Sequence, residues 1–573
     1  MNRIRFKGLA VTMAAVFVAF ACGGNSNNGG SSAGTDLAAD QTLRFPLVDD
    51  IETFDPGHVS SGVDIAFTTE VFAGLYKFDN SLKVVPSIAT GNPDVSSDGK
   101  TYTFHLRKDV KFSNGDPVKS ADVLYSWNRA AALNDAYATV FDPVDGGPDV
   151  EAGKAKTMKG LTALDDYTVK AVLTDTAGYW LTELALWTAA VVDQKVITAA
   201  GEDKWWTKPE TAIGAGPFKL TARTPKASME FQPVANWWGG STGALKKISV
   251  TIGEDQASQV KKFESNGYDL LGYANNGPGP DDVLRYKNDP TKAKLETIYP
   301  AARTTWVSFN MVNGPFATKT GLKGGDPTNT QGGADAGKDG RLAFSQAINR
   351  DQLVDVVCVH GATCAKATGG GIAKGLKGYV GDGADTGAKF DAAGAKSLYQ
   401  KWDADGSKAK GLKYSFNTSA GNKAIAENLQ SQWKTNLGVN VDLAPSDFPT
   451  LLKARKGLQT VLARGSWGAD YDHPQDWFDN LWTCTQAPVG KGSQGQAYCN
   501  QAMDKLVAKA DAAPIDKAVA DYQAAGKIMI DDQVEANLVY GTQTYFAQSY
   551  VKGQGFNSLY DYNWEGISLL KHT

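Results

Sequence analysis

Five histidines stand far apart in the chain, His58, His105, His360, His473 and His572. None forms an HExxH motif or another close ligand pair, so metal-assisted hydrolysis has little support. Several catalytic signatures occur in the wrong setting. Residues 30–34, GSSAG, have the form of a nucleophile elbow but lie in a Gly/Ser/Asn stretch with no strand-to-helix turn to present the serine. Residues 490–495, GKGSQG, fit the dinucleotide fingerprint with no strand before them and no helix opening at them. Ser407–Lys410 has SxxK spacing in a polar loop. Asp403-Ala-Asp405-Gly406 resembles the start of a calcium loop but lacks the further ligands and the closing glutamate. Carboxylates are too plentiful for a glycosidase pair to be singled out. Cys358, Cys364, Cys484 and Cys499 form two locally spaced pairs, read as the disulfides Cys358–Cys364 and Cys484–Cys499 of an exported protein. A four-cysteine zinc site is the competing reading, and it lacks CxxC spacing at both ends. No metal and no cofactor is expected.

The N-terminus explains the oxidising setting. Arg3, Arg5 and Lys7 precede an apolar run over residues 8–21, the pattern of an export signal. The junction Ala19-Phe20-Ala21-Cys22-Gly23 resembles a bacterial lipobox, with Ala19 where that motif prefers leucine. A lipid on Cys22 would anchor the protein to the outer face of the cell membrane, extracellular or periplasmic. Residues 22–40 would form the flexible tether. Loss of residues 1–21 leaves 55 basic against 62 acidic residues, moving the net charge from −4 to −7. Of the 573 residues 42% are hydrophobic and 10% aromatic, which excludes disorder over most of the length. The acidic balance and the lack of a long basic run argue against nucleic acid. The one long apolar run is too short for a polytopic membrane protein, since a span needs about 20 residues.

The elements beyond the tether alternate strand and helix, an α/β chain with mixed sheets. Residues 101–107 place Tyr102, Phe104 and Leu106 on one face, a half-buried strand. Asn114-Gly115 turns the chain, and Ser120 is the predicted cap of a helix over 121–131. Residues 341–349 read as a helix, with Asn349 opening a second one through Val357. A helix over 425–437 stops at Gly438 and a strand over 439–443 follows. Two further helical faces are Met503, Leu506, Val507 and Ala510, then Ile515, Val519, Tyr522 and Met529 after Pro514. The Gly-rich segment 317–340, almost without large apolar residues, reads as a surface excursion.

Residues 101–123, TYTFHLRKDVKFSNGDPVKSADV, resemble the signature of the oligopeptide- and dipeptide-binding proteins of bacterial ABC importers, solute-binding protein family 5. Further matches follow in that family's order: 54–56 FDP, 72–76 FAGLY, 214–218 GAGPF with 236–240 NWWGG, 341–354 RLAFSQAINRDQLV, 390–398 FDAAGAKSL, 467–471 WGADY and 498–506 YCNQAMDKL. Asn349 replaces the aspartate usual in the family. Together these matches span nearly all of the chain beyond the tether.

The resemblance implies a two-lobed, periplasmic-binding-protein-like fold that closes on its ligand. Lobe I would comprise 41–86, 212–300 and 537–573, lobe II 301–536, and an extra inserted domain 87–211. The implied function is capture of short peptides and delivery to the membrane permease, without catalysis, by a monomer. Asp470, in the family's WxADY motif, would pair with the peptide's α-ammonium. Trp467 and Tyr471 would wall the first side-chain pocket. Phe54, Val59 and Ser60 are weaker candidates for main-chain contacts. An oligosaccharide on the same fold is the runner-up, since 14 tryptophans could supply stacking platforms. A secreted glycoside hydrolase is the remote alternative.

Overall fold

The computed structural model describes residues 37–275, 277–318, 335–555, 559 and 563–572. The export signal, Cys22, residues 22–36 of the tether and residues 319–334 of the Gly-rich segment lie outside the described residues. No described helix is long and apolar enough to cross a membrane.

Three larger sheets organise the chain. The first has four strands in the order Thr42–Leu47, Lys247–Ile252, Ser228–Pro233, Phe218–Thr224; the opening pair is parallel and the others antiparallel. Phe45, Phe67, Phe231 and Trp564 fill the core beneath it. Its first strand is fastened to the end of the chain. The Gln41 side chain donates to the Leu569 carbonyl (2.8 Å) and accepts the Leu569 N–H (3.0 Å).

The second sheet is antiparallel, in the order Asp94–Val95, Thr101–His105, Thr168–Val172, Leu161–Asp165. The predicted alternation holds, with Tyr102 and Phe104 buried against Trp127 and Trp180. The following helix runs Ser120–Leu133, one residue earlier than predicted. Asp122 accepts the Lys119 N–H (2.8 Å), so Lys119 and not Ser120 occupies the cap position.

The third sheet has seven strands. Six lie in the order Leu270–Leu271, Glu535–Ala547, Glu296–Phe309, Leu462–Gly468, Lys413–Asn417, Asp442–Ser446; Cys364–Lys366 pairs beside Glu535–Ala547. Its two long strands are antiparallel, and their register shifts between Pro300 and Thr304. Tyr545 lies in the core of the first sheet, whereas Val307, Phe309, Ala536 and Leu538 lie in a different core with Phe344 and Trp433. The same two strands therefore serve two cores.

Helix boundaries show what periodicity misses. Asn349 caps the helix Arg350–Val357 as predicted, accepting the N–H groups of Asp351 and Gln352. The preceding helix is Lys338–Gln346, so residues 338–340 of the expected surface excursion are helical. Gly340 is there for a close approach, because a Cβ at that position would lie 2.4 Å from the Trp402 ring. The long helix begins at Ala420 and ends at Gly438, whose φ of 82° is left-handed. The strand expected over 439–443 is Asp442–Ser446 instead. Val439 and Val441 are buried in coil ahead of it, and that burial imitated a strand pattern. Both predicted disulfides form, with Cα separations of 5.1 Å for Cys358–Cys364 and 4.3 Å for Cys484–Cys499.

Candidate functional site

The strand Leu462–Gly468 pairs with Glu296–Phe309, Trp467 opposite Thr304, and then leaves the sheet. The Ala469 N–H donates to the Ala302 carbonyl (2.7 Å), which holds the exit point of the chain. The loop beyond folds back on Asp476, whose fully buried carboxylate accepts the Asp470 N–H (3.0 Å) and the Trp467 indole N–H (3.2 Å). Asp470 is thereby presented to a cavity of about 580 Å³. The opposite wall is built by residues 136–143 and 174–186, in the part of the chain that carries the second sheet.

Two hydrogen bonds span the cavity's walls. The Tyr137 hydroxyl donates to Asp470 Oδ1 (2.8 Å), and the Tyr471 hydroxyl is shared between Glu183 Oε1 (3.1 Å) and Gln475 Oε1 (2.5 Å). The Gly178 N–H donates to the Asp511 carbonyl close by. A Cβ at Gly178 would lie 2.2 Å from the Ala513 carbonyl oxygen, so this contact requires glycine.

Three of the six predicted site residues, Asp470, Trp467 and Tyr471, line this cavity. Phe54, Val59 and Ser60 do not. Phe54 is buried edge-on to Phe231, Val59 is buried with its carbonyl accepting the Trp187 indole N–H (2.9 Å), and Ser60 is exposed. Neighbouring Asp472 is committed elsewhere, holding the Lys377 backbone N–H and ammonium (2.7 Å each). Tyr137, Glu183 and Asp476 were not found from sequence. Tyr137 and Glu183 carry no motif, and only folding brings them across to the loop after Trp467. Among the described residues no group of three metal-ligating side chains occurs.

Burial sets the electrostatics. It raises Asp470 above the usual carboxylate range, against the pull of the Tyr137 hydroxyl, Asp476 and Arg303. Burial, then the Asp470 charge, holds Asp476 well above that range. Glu183 is likewise far above it, chiefly through burial. Burial and then Glu151 push Asp142 up to about 7; burial pushes Asp479 up to about 6; burial and then Asp479 push Asp511 up to about 8. These groups bind protons in the folded chain that the unfolded chain has already released. Their contribution is therefore full below the unfolded pKa and is lost as pH rises through the folded values. His473, pushed down to about 3 by burial, opposes them only below the ordinary histidine range. The ligand-free protein should accordingly lose several degrees of Tm between about pH 6 and pH 8, at about 1 °C per kcal/mol for this chain length. A flat or rising Tm in a calorimetric scan over that window contradicts this account.

Residues 83–488 match the family described as bacterial extracellular solute-binding proteins, family 5. The chain belongs to that family. It is 25% identical over 532 residues to the periplasmic murein peptide-binding protein MppA of Escherichia coli, covering 92% of each chain. It is also 25% identical to the oligopeptide-binding protein OppA of Bacillus subtilis, over 95% of this chain and 96% of that one. Among solved structures, the unliganded open form of MppA overlays with a TM-score of 0.77 at 24% identity, covering 94% of this chain and 99% of the other. Peptide-bound OppA of Listeria monocytogenes overlays at 0.66 and 23% identity, covering 93% and 100%. These overlays show a two-lobed α/β fold for this solute-binding protein.

Proposed function

We propose that this family member is the substrate-binding component of an ABC importer and captures short peptides with a free N-terminus. The observation that carries the reading is Asp470, a carboxylate presented at the wall of a roomy cavity built from two distant parts of the chain. An α-ammonium there makes charge-assisted hydrogen bonds. The names of the relatives point the same way: one binds murein peptide and another oligopeptides. Trp467 and Tyr471 wall the first side-chain pocket. Residues 41–86, 212–300 and 537–573 act as one lobe, 301–536 as the other, and 87–211 as an inserted domain. The long strands Glu296–Phe309 and Glu535–Ala547 cross between them and serve as the hinge. A ligand touching both sides favours closure, and the closed monomer is what the permease accepts. No turnover is involved.

The oligosaccharide reading has less support. Ten of the 14 tryptophans are buried in cores, and of the remaining four only Trp467 lines the cavity. Calorimetry with a tripeptide mixture, the same mixture N-acetylated, and cello- or chito-oligosaccharides tests the proposal. Binding confined to free-amino peptides supports it, and binding of sugars alone ends it. A lipid on Cys22 anchors the protein to the outer face of the membrane in this reading. Cys22→Ser should then move the protein from the membrane fraction to the soluble one, and retention in the membrane would refute the anchor.

A further inference from the structure

The cavity beside Asp470 is lined by acidic groups and by no basic one. Asp142, Asp175, Glu183, Asp470 and Asp476 line it, and no lysine, arginine or histidine does. Asp175 belongs to the rim: its side chain is 88% exposed and Lys100 lies 3.3 Å away. The other four are withdrawn from water to different degrees, two from each wall. Behind them, Asp479 and Asp511 crowd Glu183 with further carboxyl groups. The neighbouring cations are placed differently. Arg303 acts on Asp470 from the exposed side of its strand, and Lys377 is engaged by Asp472.

Glu183 is the residue that asks for a ligand. It is 7% exposed, and its Oε1 lies 3.1 Å from the Tyr471 hydroxyl, which Gln475 Oε1 also engages at 2.5 Å. Its Oε2 is buried with no hydrogen-bond partner. Burial favours the protonated form of this carboxyl in the ligand-free chain, and a buried polar atom without a partner is costly because desolvation is not offset. A cationic group entering the cavity supplies a partner and favours release of that proton, so that the ionised carboxylate is paired. Asp470 and Glu183 are linked through adjacent residues of one loop, since Tyr471 holds Glu183 and directly follows Asp470.

We infer that this cavity selects peptides whose first side chain is itself cationic, lysine- or arginine-like, with the α-ammonium at Asp470 and the side-chain cation at Glu183. This rests on the peptide reading above and adds a charge requirement to it. Neutral peptides present only one positive group and bring no cation to favour the ionised form of Glu183. Peptides beginning with an acidic residue bring a like charge into the cavity.

The test is calorimetry on the purified protein with Lys-Ala-Ala, norleucine-Ala-Ala and Glu-Ala-Ala at neutral pH. Norleucine keeps the length and apolar stem of lysine and removes only the charge. The lysine peptide should bind about tenfold or more tightly than the norleucine peptide, and the glutamate peptide weakest. In Glu183→Gln the lysine-to-norleucine ratio should fall to about 2 or below, whichever way the absolute affinities move. Asp142→Asn should lower the ratio in part, and it carries the test if Glu183→Gln does not fold. Equal affinity for the lysine and norleucine peptides overturns the inference and leaves the peptide reading standing. A ratio that survives both substitutions also overturns it, by assigning the preference elsewhere. If none of the three peptides binds, the peptide reading falls and this inference falls with it.

Discussion

An Asp470→Asn chain should bind a free-amino tripeptide about 100-fold more weakly than the parent, or not measurably. Removing one partner of a buried ion pair costs about 3–5 kcal/mol, because the remaining charge is left without compensation in a dry site. Asparagine preserves the shape and an acceptor for the Tyr137 hydroxyl, so the loss reports charge and not collapse of the loop. Asp476 limits the effect. Its carboxyl is kept protonated partly by the Asp470 charge, and it ionises more readily once that charge is gone. The double substitution Asp470→Asn with Asp476→Asn should therefore lose more than the single one. Calorimetry against free and N-acetylated forms of one peptide gives the decision. A change under about fivefold in the single variant, or unaltered discrimination between the two forms, removes Asp470 from the site.

The largest expected loss of stability comes from Asp55, inside the FDP motif. Its side chain is fully buried and accepts from Arg129 through two hydrogen bonds (2.9 and 2.6 Å), from the Trp205 indole (3.0 Å) and from the Gly57 N–H (3.0 Å). Asp55→Ala leaves the Arg129 guanidinium and the Trp205 indole without that acceptor, at a cost of about 3–5 kcal/mol. Glu202 at 2.7 Å from Arg129 offers partial relief, which places the cost at the lower end of that range. Urea titration followed by tryptophan fluorescence measures the loss. Joint replacement of Asp55 and Arg129 by leucine and methionine should recover part of it, since an apolar pair leaves no charge stranded. A single variant as stable as the parent contradicts this role for Asp55.

What could be read in the chain followed local physics. Capping by Asn349, the stop at Gly438 and the alternation of Tyr102 and Phe104 are signals carried within a few residues, and each appears where it was expected. The family motifs led to Asp470 and its aromatic neighbours for the same reason: one short string contains all three. Phe54, Val59 and Ser60, near the start of the proposed first lobe, do not line the cavity, and the Asp55 beside them is engaged in packing with Arg129 and Trp205. Tyr137 and Glu183 were beyond reach because their meaning lies in partners 333 and 288 residues away. The Gly-rich signal at 317–340 was ambiguous in its own terms, since Gly340 reads as loop chemistry but lets a helix pass close to Trp402. Long-range pairing is what a sequence states least directly.

The clasp between Gln41 and Leu569 has a mechanical consequence. The start and the end of the described chain are clasped together at Gln41, immediately before the edge strand of the four-stranded sheet, so a pull on the N-terminal side enters as shear along Thr42–Leu47 and its parallel neighbour. That load path avoids the cavity entirely. A fluorophore attached at Lys571 would ride on the same edge, a fixed reference from which displacement of the Asp470 loop can be ranged.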